Sequence, residues 1–257
     1  MPVELSLSDG IATVTIDRPD KRNALDADHY TALSEAFVQV RDDDSIRCAI
    51  LTGAGNRAFC AGADIGTWLG RDRRLTDLWA TQTGLLPNRG LEIWKPVIAA
   101  VNGDCIGGGM TLLMGTDIRV AARHATFSLP EGRRGVIPAN GGTQRLLRQL
   151  PHAVAMKLLL LGEPMTADEA GRWGFVNDVV EADEVMEVAL ACARRIAAAA
   201  PLAMQAAKEL AIRSQDLTMA EGLRMEQLVQ HALLASNDAA EGRAAFAEKR
   251  EPAFGGH

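Results

Sequence analysis

Two short runs at the start of the chain, "VELSL" and "IATVTI", alternate apolar and polar residues and flank Asp9-Gly10. Period-two alternation marks half-buried strands, and an Asp-Gly pair between two of them marks a tight hairpin turn. A turn-rich loop, "DRPDKRNALD", leads to Asp26 or Asp28, either of which suits a helix cap. Leu33, Phe37 and Val40 then recur at helical spacing until "RDDD" ends the helix. "IRCAILTGAG" reads as a buried strand running into glycines, and the same strand, loop and helix order returns in "KPVIAAVNGDCIGGGMTLLMG". Further strands are predicted at "DIRVAA" and "FVNDVV". Strands separated by helices require crossover connections, which makes this an α/β chain.

Beyond Ala182 the pattern turns helical, through "EVMEVALACARRIAAAA", "PLAMQAAKELAIRSQ" and "LTMAEGLRMEQLVQHALLAS". Pro201 suits the first turn of its helix, and "SNDAAEG" carries capping residues for a last one. The expected division is an α/β core over residues 1–200 and a helical region over 201–257. The apolar faces of that region must cover either the core or a neighbouring subunit.

Composition narrows the function classes. The chain has 257 residues, 47% of them hydrophobic, enough for a substantial core. No apolar stretch approaches the roughly eighteen residues of a membrane helix, and "MPVELSLSDG" lacks the order of a signal peptide, so the expectation is a soluble cytoplasmic protein without a membrane partner. A net charge of -6 argues against nucleic acid as a partner. Local basic clusters at Arg18, Lys21 and Arg22 and at Lys249 and Arg250 nonetheless suit an anionic small molecule or plain solvated surface. The four cysteines are far apart and the five histidines show no ligand spacing, so no metal site is expected.

The chemistry lies in two loops where an apolar strand gives way to a helix, "NRAFCAGADIG" and "VNGDCIGGGM". Small residues there leave backbone N–H groups uncovered, and a helix start favours negative charge. Two amides converging on one point would form an oxyanion hole for a carbonyl that gains charge in a reaction. Glycines that merely allow a tight turn or close packing are the structural alternative. Nucleotide phosphate loops and a serine nucleophile elbow are poorly supported, because neither glycine fingerprint nor G-x-S-x-G is present.

"RPDKRNAL", "AFCAGADI", "KPVIAAVNGDCIGGG", "PEGRRGVIPANGGTQRL" and "EGRAAFAEKREPAF" resemble, in order and spacing, the enoyl-CoA hydratase/isomerase (crotonase) family across nearly the whole chain. The resemblance implies a crotonase-like spiral of strand-strand-helix units with a C-terminal helical region. It also implies trimers or paired trimers acting on acyl-coenzyme A thioesters, with coenzyme A as part of the substrate and no separate cofactor. By this resemblance the oxyanion amides fall on Ala63 and Gly108, and the catalytic carboxylate on Glu131. Pairing of Glu131 with Arg133 or Arg134 is the alternative for that residue. Coenzyme A contacts fall on Arg22, Asn23 and Ala24 and on Ala61, Gly62, Asp64 and Ile65. Phe246 and Lys249 would reach the nucleotide end, although helix packing is an equal reading of Phe246.

One position departs from the pattern. Hydratases of the family usually carry a glutamate three residues after the middle glycine, and here that residue is Thr111, which has no useful acid–base pKa. A single carboxylate suits double-bond isomerisation, from 3-enoyl-CoA to 2-enoyl-CoA, and that is the preferred reaction. Hydration of 2-enoyl-CoA, with Thr111 orienting water, is the alternative, and a non-catalytic acyl-CoA binder is a third. Thioester hydrolysis, decarboxylation and carbon–carbon cleavage also remain open. Ala139 stands where dienoyl isomerases have an aspartate, which argues against that subclass, and Asn140 is expected to cap the next helix. Cys60 and Asp117 read as structural. The segment "TWLGRDRRLTDLWATQTGLLPNR", with Trp68, Leu69, Trp79, Leu85 and Leu86, is expected to wall the acyl pocket.

Overall fold

The computed structural model describes residues 1–68 and 85–257, with Trp68 described in its backbone alone. Leu69 and Trp79 of the expected pocket wall therefore lie outside the described residues. The chain opens with β1 (Val3–Ser8) and β2 (Ile11–Ile16), paired antiparallel around Asp9 and Gly10, both with positive φ as a tight hairpin requires. Helix α1 (Ala27–Asp42) starts at Asp26, whose carboxylate accepts the N–H groups of Asp28 and His29.

Three strand pairs then follow one plan: β3 (Cys48–Gly53) with β4 (Ala58–Cys60), β5 (Val97–Val101) with β6 (Asp104–Ile106), and β7 (Ile118–Ala122) with β8 (Thr126–Ser128). The first member of each pair joins a large sheet of order β1-β2-β3-β5-β7, closed by β10 (Asp178–Val180), and the second joins a small one of order β4-β6-β8, closed by β9 (Met165–Thr166). Helices α2 (Ile65–Trp68) and α3 (Gly108–Leu113) follow the first two pairs, and a 3-10 turn (Pro130–Arg134) and α4 (Gly142–Gln149) follow the third. Each strand-strand-helix unit advances one position along both sheets, which is the spiral implied by the resemblance.

β3 and β5 are buried along their whole length, as expected of central parallel strands covered on both faces. Helix α7 (Val185–Ala197), which follows α5 (His152–Leu161), β9 (Met165–Thr166), α6 (Ala167–Arg172) and β10 (Asp178–Val180), packs on the large sheet. Its buried Val185, Ala189 and Ala193 recur every four residues, a row of small side chains that lets the helix axis approach. The fully buried Phe127 and Phe175 meet edge to face, with centroids 5.7 Å apart. Helices α8 (Pro201–Arg213), α9 (Met219–Leu234) and α10 (Asn237–Glu248) complete the chain. The half-buried ammonium of Lys208 pins α8 to the core, 2.7 Å from Asp117 and 3.0 Å from the Lys95 carbonyl. Among the described residues no helix is long and apolar enough to cross a membrane.

Two local expectations are corrected. Asn140 does not cap α4: it takes a left-handed conformation itself, Gly141 occupies the cap position, and no side chain accepts the first N–H groups. The strand expected in "FVNDVV" shortens to Asp178–Val180, because the Phe175 N–H closes onto Ala170 O behind α6 and Asn177 exchanges hydrogen bonds with the Arg119 backbone.

Candidate active site

β4, β6 and β8 lie side by side and parallel, so the segments leaving their C-terminal ends rise along one end of the small sheet, about 5 Å apart from strand to strand. Those segments carry Ala63, Gly108 and Glu131. Sheet pairing thus gathers residues 45 and 23 positions apart in sequence (108 minus 63, and 131 minus 108).

The amides are aimed by backbone pairing. Leu25 donates to Gly62 O at 2.8 Å and accepts from the Asp64 N–H at 2.8 Å, a parallel bridge that leaves the intervening Ala63 N–H pointing to the opposite side. On that side lies the start of α3. A methyl group on Gly108 would stand 3.2 Å from Ala63 N, and one on Gly62 would stand 2.9 Å from Gly108 N. Among the described residues neither amide donates a hydrogen bond. The Gly108 N–H is unpaired by construction, as a helix's first donors are.

The three glycines divide their work. Gly107, at φ 55° and ψ -117°, holds a backbone shape that side-chain-bearing residues avoid, and a Cβ there would stand 3.1 Å from Glu131 Oε1. A Cβ on Gly109 would collide with the Cys60 carbonyl, so that glycine serves the packing of α3 on β4. Gly108 alone of the three faces the Ala63 amide.

Glu131 occupies the 3-10 turn after β8. Its position is backed by the end of α5, where the Arg133 Nε donates to Leu161 O at 2.8 Å. The carboxyl lies against Gly107, and Oε2 is buried with no hydrogen-bond partner among the described residues. Burial pushes its pKa above the ordinary carboxylate value, opposed by its own backbone hydrogen bond and the charge of Arg134. No ion pair with Arg133 or Arg134 forms among the described residues.

Thr111 sits one turn into α3, buried. Its hydroxyl donates to Gly108 O at 3.0 Å and lies 3.4 Å from Asn88 Nδ2, while Asn88 Oδ1 is buried without a partner among the described residues. Asn88 was not singled out from the sequence. Tyr30 is a second such residue: its hydroxyl would stand 3.2 Å from a methyl on Gly108, the same distance as Ala63 N. It continues the buried α1 stripe of Leu33, Phe37 and Val40 by one turn, which is the signal that would have found it. Burial, first, and then the neighbouring Cys60 and Glu131 push its pKa up to about 12, against the pull of Arg89, whose guanidinium lies 5.1 Å from the ring centroid. Cys60 is fully buried, and desolvation pushes its thiol up to about 12, far from a reactive thiolate.

The remaining expected residues split into two groups. Arg18 is turned inward, donating to Asp64 at 2.9 Å and Ala24 O at 3.2 Å and pairing with Asp26 at 3.2 Å, so it clasps the Ala61–Asp64 loop to the loop before α1. Ala61 joins this clasp by donating to Arg22 O at 2.9 Å. Arg22 and Ile65 are exposed at its rim, and Ala24, Ala61 and Asp64 are half-buried. Asn23 is fully buried at φ 56°; its amide donates to Ala54 O and Ala58 O at 3.0 and 2.7 Å and accepts the Arg18 N–H at 3.0 Å. Asn23→Ala is expected to lower the unfolding free energy by roughly 2–3 kcal/mol, because it strands buried backbone partners; a loss under about 1 kcal/mol in urea unfolding would contradict this placement. Phe246, 88% exposed, and Lys249, at the end of α10, are not tied to these loops by any hydrogen bond or ion pair among the described residues. Leu86 is buried and Leu85 exposed, so only one of the two faces solvent.

Residues 6–257 match the family model described as enoyl-CoA hydratase/isomerase. The chain is 40% identical over 261 residues to (E)-benzylidenesuccinyl-CoA hydratase of Thauera aromatica, covering 100% of both chains. It is 41% identical over 263 residues to carnitinyl-CoA dehydratase of Salmonella arizonae, covering 99% of this chain and 98% of that one. Among solved structures it resembles an enoyl-CoA hydratase from Mycobacterium tuberculosis H37Rv, with a TM-score of 0.92, 34% identity and 100% and 99% of the two chains covered. It also resembles one from Bacillus anthracis, with a TM-score of 0.93, 32% identity and 100% of both chains covered. With matches of this extent, the chain belongs to the enoyl-CoA hydratase/isomerase family of acyl-CoA enzymes.

Proposed function

We propose that the chain isomerises 3-enoyl-CoA to 2-enoyl-CoA through a thioester dienolate. The Ala63 and Gly108 N–H groups bind the thioester oxygen. Glu131, as carboxylate, removes a proton from C2, and the electron pair moves through the carbonyl onto that oxygen, where the two donors stabilise it. The protonated Glu131 then returns the proton to C4, the electrons flow back, and the double bond is left between C2 and C3. Coenzyme A enters as part of the substrate. Arg22, Asn23 and Ala24 and the Ala61–Ile65 loop frame its approach, and Lys249 and Phe246 take its nucleotide end.

The observation that carries this reading is that, among the described residues, Glu131 is the carboxyl lying against Gly107, while the other expected acid position is a threonine whose hydroxyl is turned to Gly108 O. One base that takes and returns one proton completes an isomerisation without bound water.

Hydration of 2-enoyl-CoA is the second reading. Two observations favour it: the relatives named above are a hydratase and a dehydratase, and the unpartnered Asn88 Oδ1 beside the Thr111 hydroxyl offers a water two polar neighbours. Incubation with 3-butenoyl-CoA and with crotonyl-CoA, separately, tells the readings apart. The proposal expects crotonyl-CoA from the first and little 3-hydroxybutyryl-CoA from the second; rapid hydration with no isomerisation would reverse the order.

Assembly as a homotrimer or homohexamer belongs to the same proposal, with residues 201–257 as the covering and interface region. Leu202 and Ile212 on α8 and Leu223, Leu228 and Leu234 on α9 are exposed, apolar surface suited to burial against another copy.

A further inference from the structure

We propose that Tyr30 is a third hydrogen-bond donor of the active site, its phenol O–H reaching the thioester oxygen beside the Ala63 and Gly108 amides. This rests on the reading that those amides hold a thioester oxygen, and it adds a side chain to what is otherwise a backbone device.

Three observations support it. The Tyr30 oxygen and the Ala63 nitrogen each stand 3.2 Å from the point a Gly108 methyl would occupy, so both border the gap that the missing side chain leaves. The ring projects from the first turn of α1, whose start is fixed by the Asp26 cap, and Arg89 lies over its face, so the hydroxyl is held in place. A partly buried phenol whose pKa stands near 12 keeps its proton across the working pH range and offers a donor, not a base, to a developing anion. Glu131 borders Gly107 and the Tyr30 hydroxyl borders Gly108, so base and donor stand beside adjacent residues at the start of α3. Gly108 is then required twice: its N–H is one donor, and its lack of a side chain lets the phenol approach.

Tyr30 is the chain's single tyrosine, so biosynthetic incorporation of 3-fluorotyrosine places one fluorine reporter in the protein. The test measures Tyr30→Phe and Glu131→Gln side by side on 3-butenoyl-CoA and crotonyl-CoA. It also records the fluorine resonance of the labelled wild type with and without acetoacetyl-CoA, which enolises readily. Expected results are a fall in kcat on the order of 100-fold for Tyr30→Phe with KM nearly unchanged, and a clear fluorine shift on binding. A Tyr30→Phe kcat close to wild type, or a loss confined to KM, overturns the proposal while leaving the site reading intact provided Glu131→Gln is inactive. A fully active Glu131→Gln instead overturns the underlying site reading. If Tyr30→Phe does not fold, the fluorine measurement decides: a resonance indifferent to acetoacetyl-CoA overturns the proposal.

Discussion

Glu131→Gln is expected to lower kcat/KM by on the order of 100- to 10,000-fold, the usual worth of a positioned acid–base group, without lowering the melting temperature at neutral pH. Glutamine keeps the shape of the side chain against Gly107 but can neither accept nor return a proton. The stability half follows from the sign of the pKa shift. Burial raises the folded-state pKa of Glu131 above its unfolded value, so the group stabilises the fold at pH below the unfolded pKa, and that contribution is lost as pH rises through the folded pKa. At neutral pH the ionised carboxylate is a cost that an uncharged amide removes. For the same reason the acid limb of kcat/KM is expected above the ordinary glutamate value of about 4.3, since the base form is the active one. Full activity in the variant, or an acid limb at or below that value, would remove Glu131 from the mechanism.

The second large effect is expected at Gly108. Alanine there suits a helix start in backbone terms, because Gly108 is not among the positive-φ glycines. Its methyl, however, would enter the gap bordered by Ala63 N and the Tyr30 hydroxyl, 3.2 Å from each. Gly108→Ala should therefore fold and bind coenzyme A while losing on the order of 100- to 1000-fold in kcat, roughly 3–4 kcal/mol of transition-state stabilisation. The comparison with Gly109→Ala is informative. There the methyl meets the Cys60 carbonyl, a packing clash between α3 and β4, so the loss should appear in the melting temperature as well as in rate. Equal activity of Gly108→Ala and wild type would mean that the gap holds no substrate atom.

Those two residues show what the chain discloses by itself. The hairpin at Asp9-Gly10, an aspartate cap for α1, narrowed by the structure from Asp26 or Asp28 to Asp26, and the helical last third were legible because each is set by local chemistry: a turn dipeptide, a side-chain acceptor, a 3.6-residue stripe. The two glycine loops were legible as junctions of strand and helix, and the resemblance pointed within them to Ala63 and Gly108 and, beyond them, to Glu131. The small sheet was not. β4, β6 and β8 have three residues each, too few to show a period, and they exist because pairing with one another satisfies their backbones. Yet that sheet is what brings the two loops and the turn together. Asn88 and Tyr30 were missed for a related reason: Asn88 sits in a stretch read only as pocket wall, and Tyr30 sits on a helix read for its apolar core. Asn140 misled because a good capping residue has no influence when the backbone places Gly141 at the cap.

The central claim is that this site makes an enolate from a thioester. The direct measurement is proton exchange at C2 of 3-butenoyl-CoA in deuterium oxide, followed by NMR with wild type and Glu131→Gln. Wild type is expected to carry solvent deuterium into C2 of remaining substrate or C4 of the crotonyl product, or to transfer the original proton from C2 to C4 within one turnover, and Glu131→Gln to do neither. Exchange or transfer that persists undiminished in Glu131→Gln, or a wild type that leaves every C2 proton in place, would contradict the account.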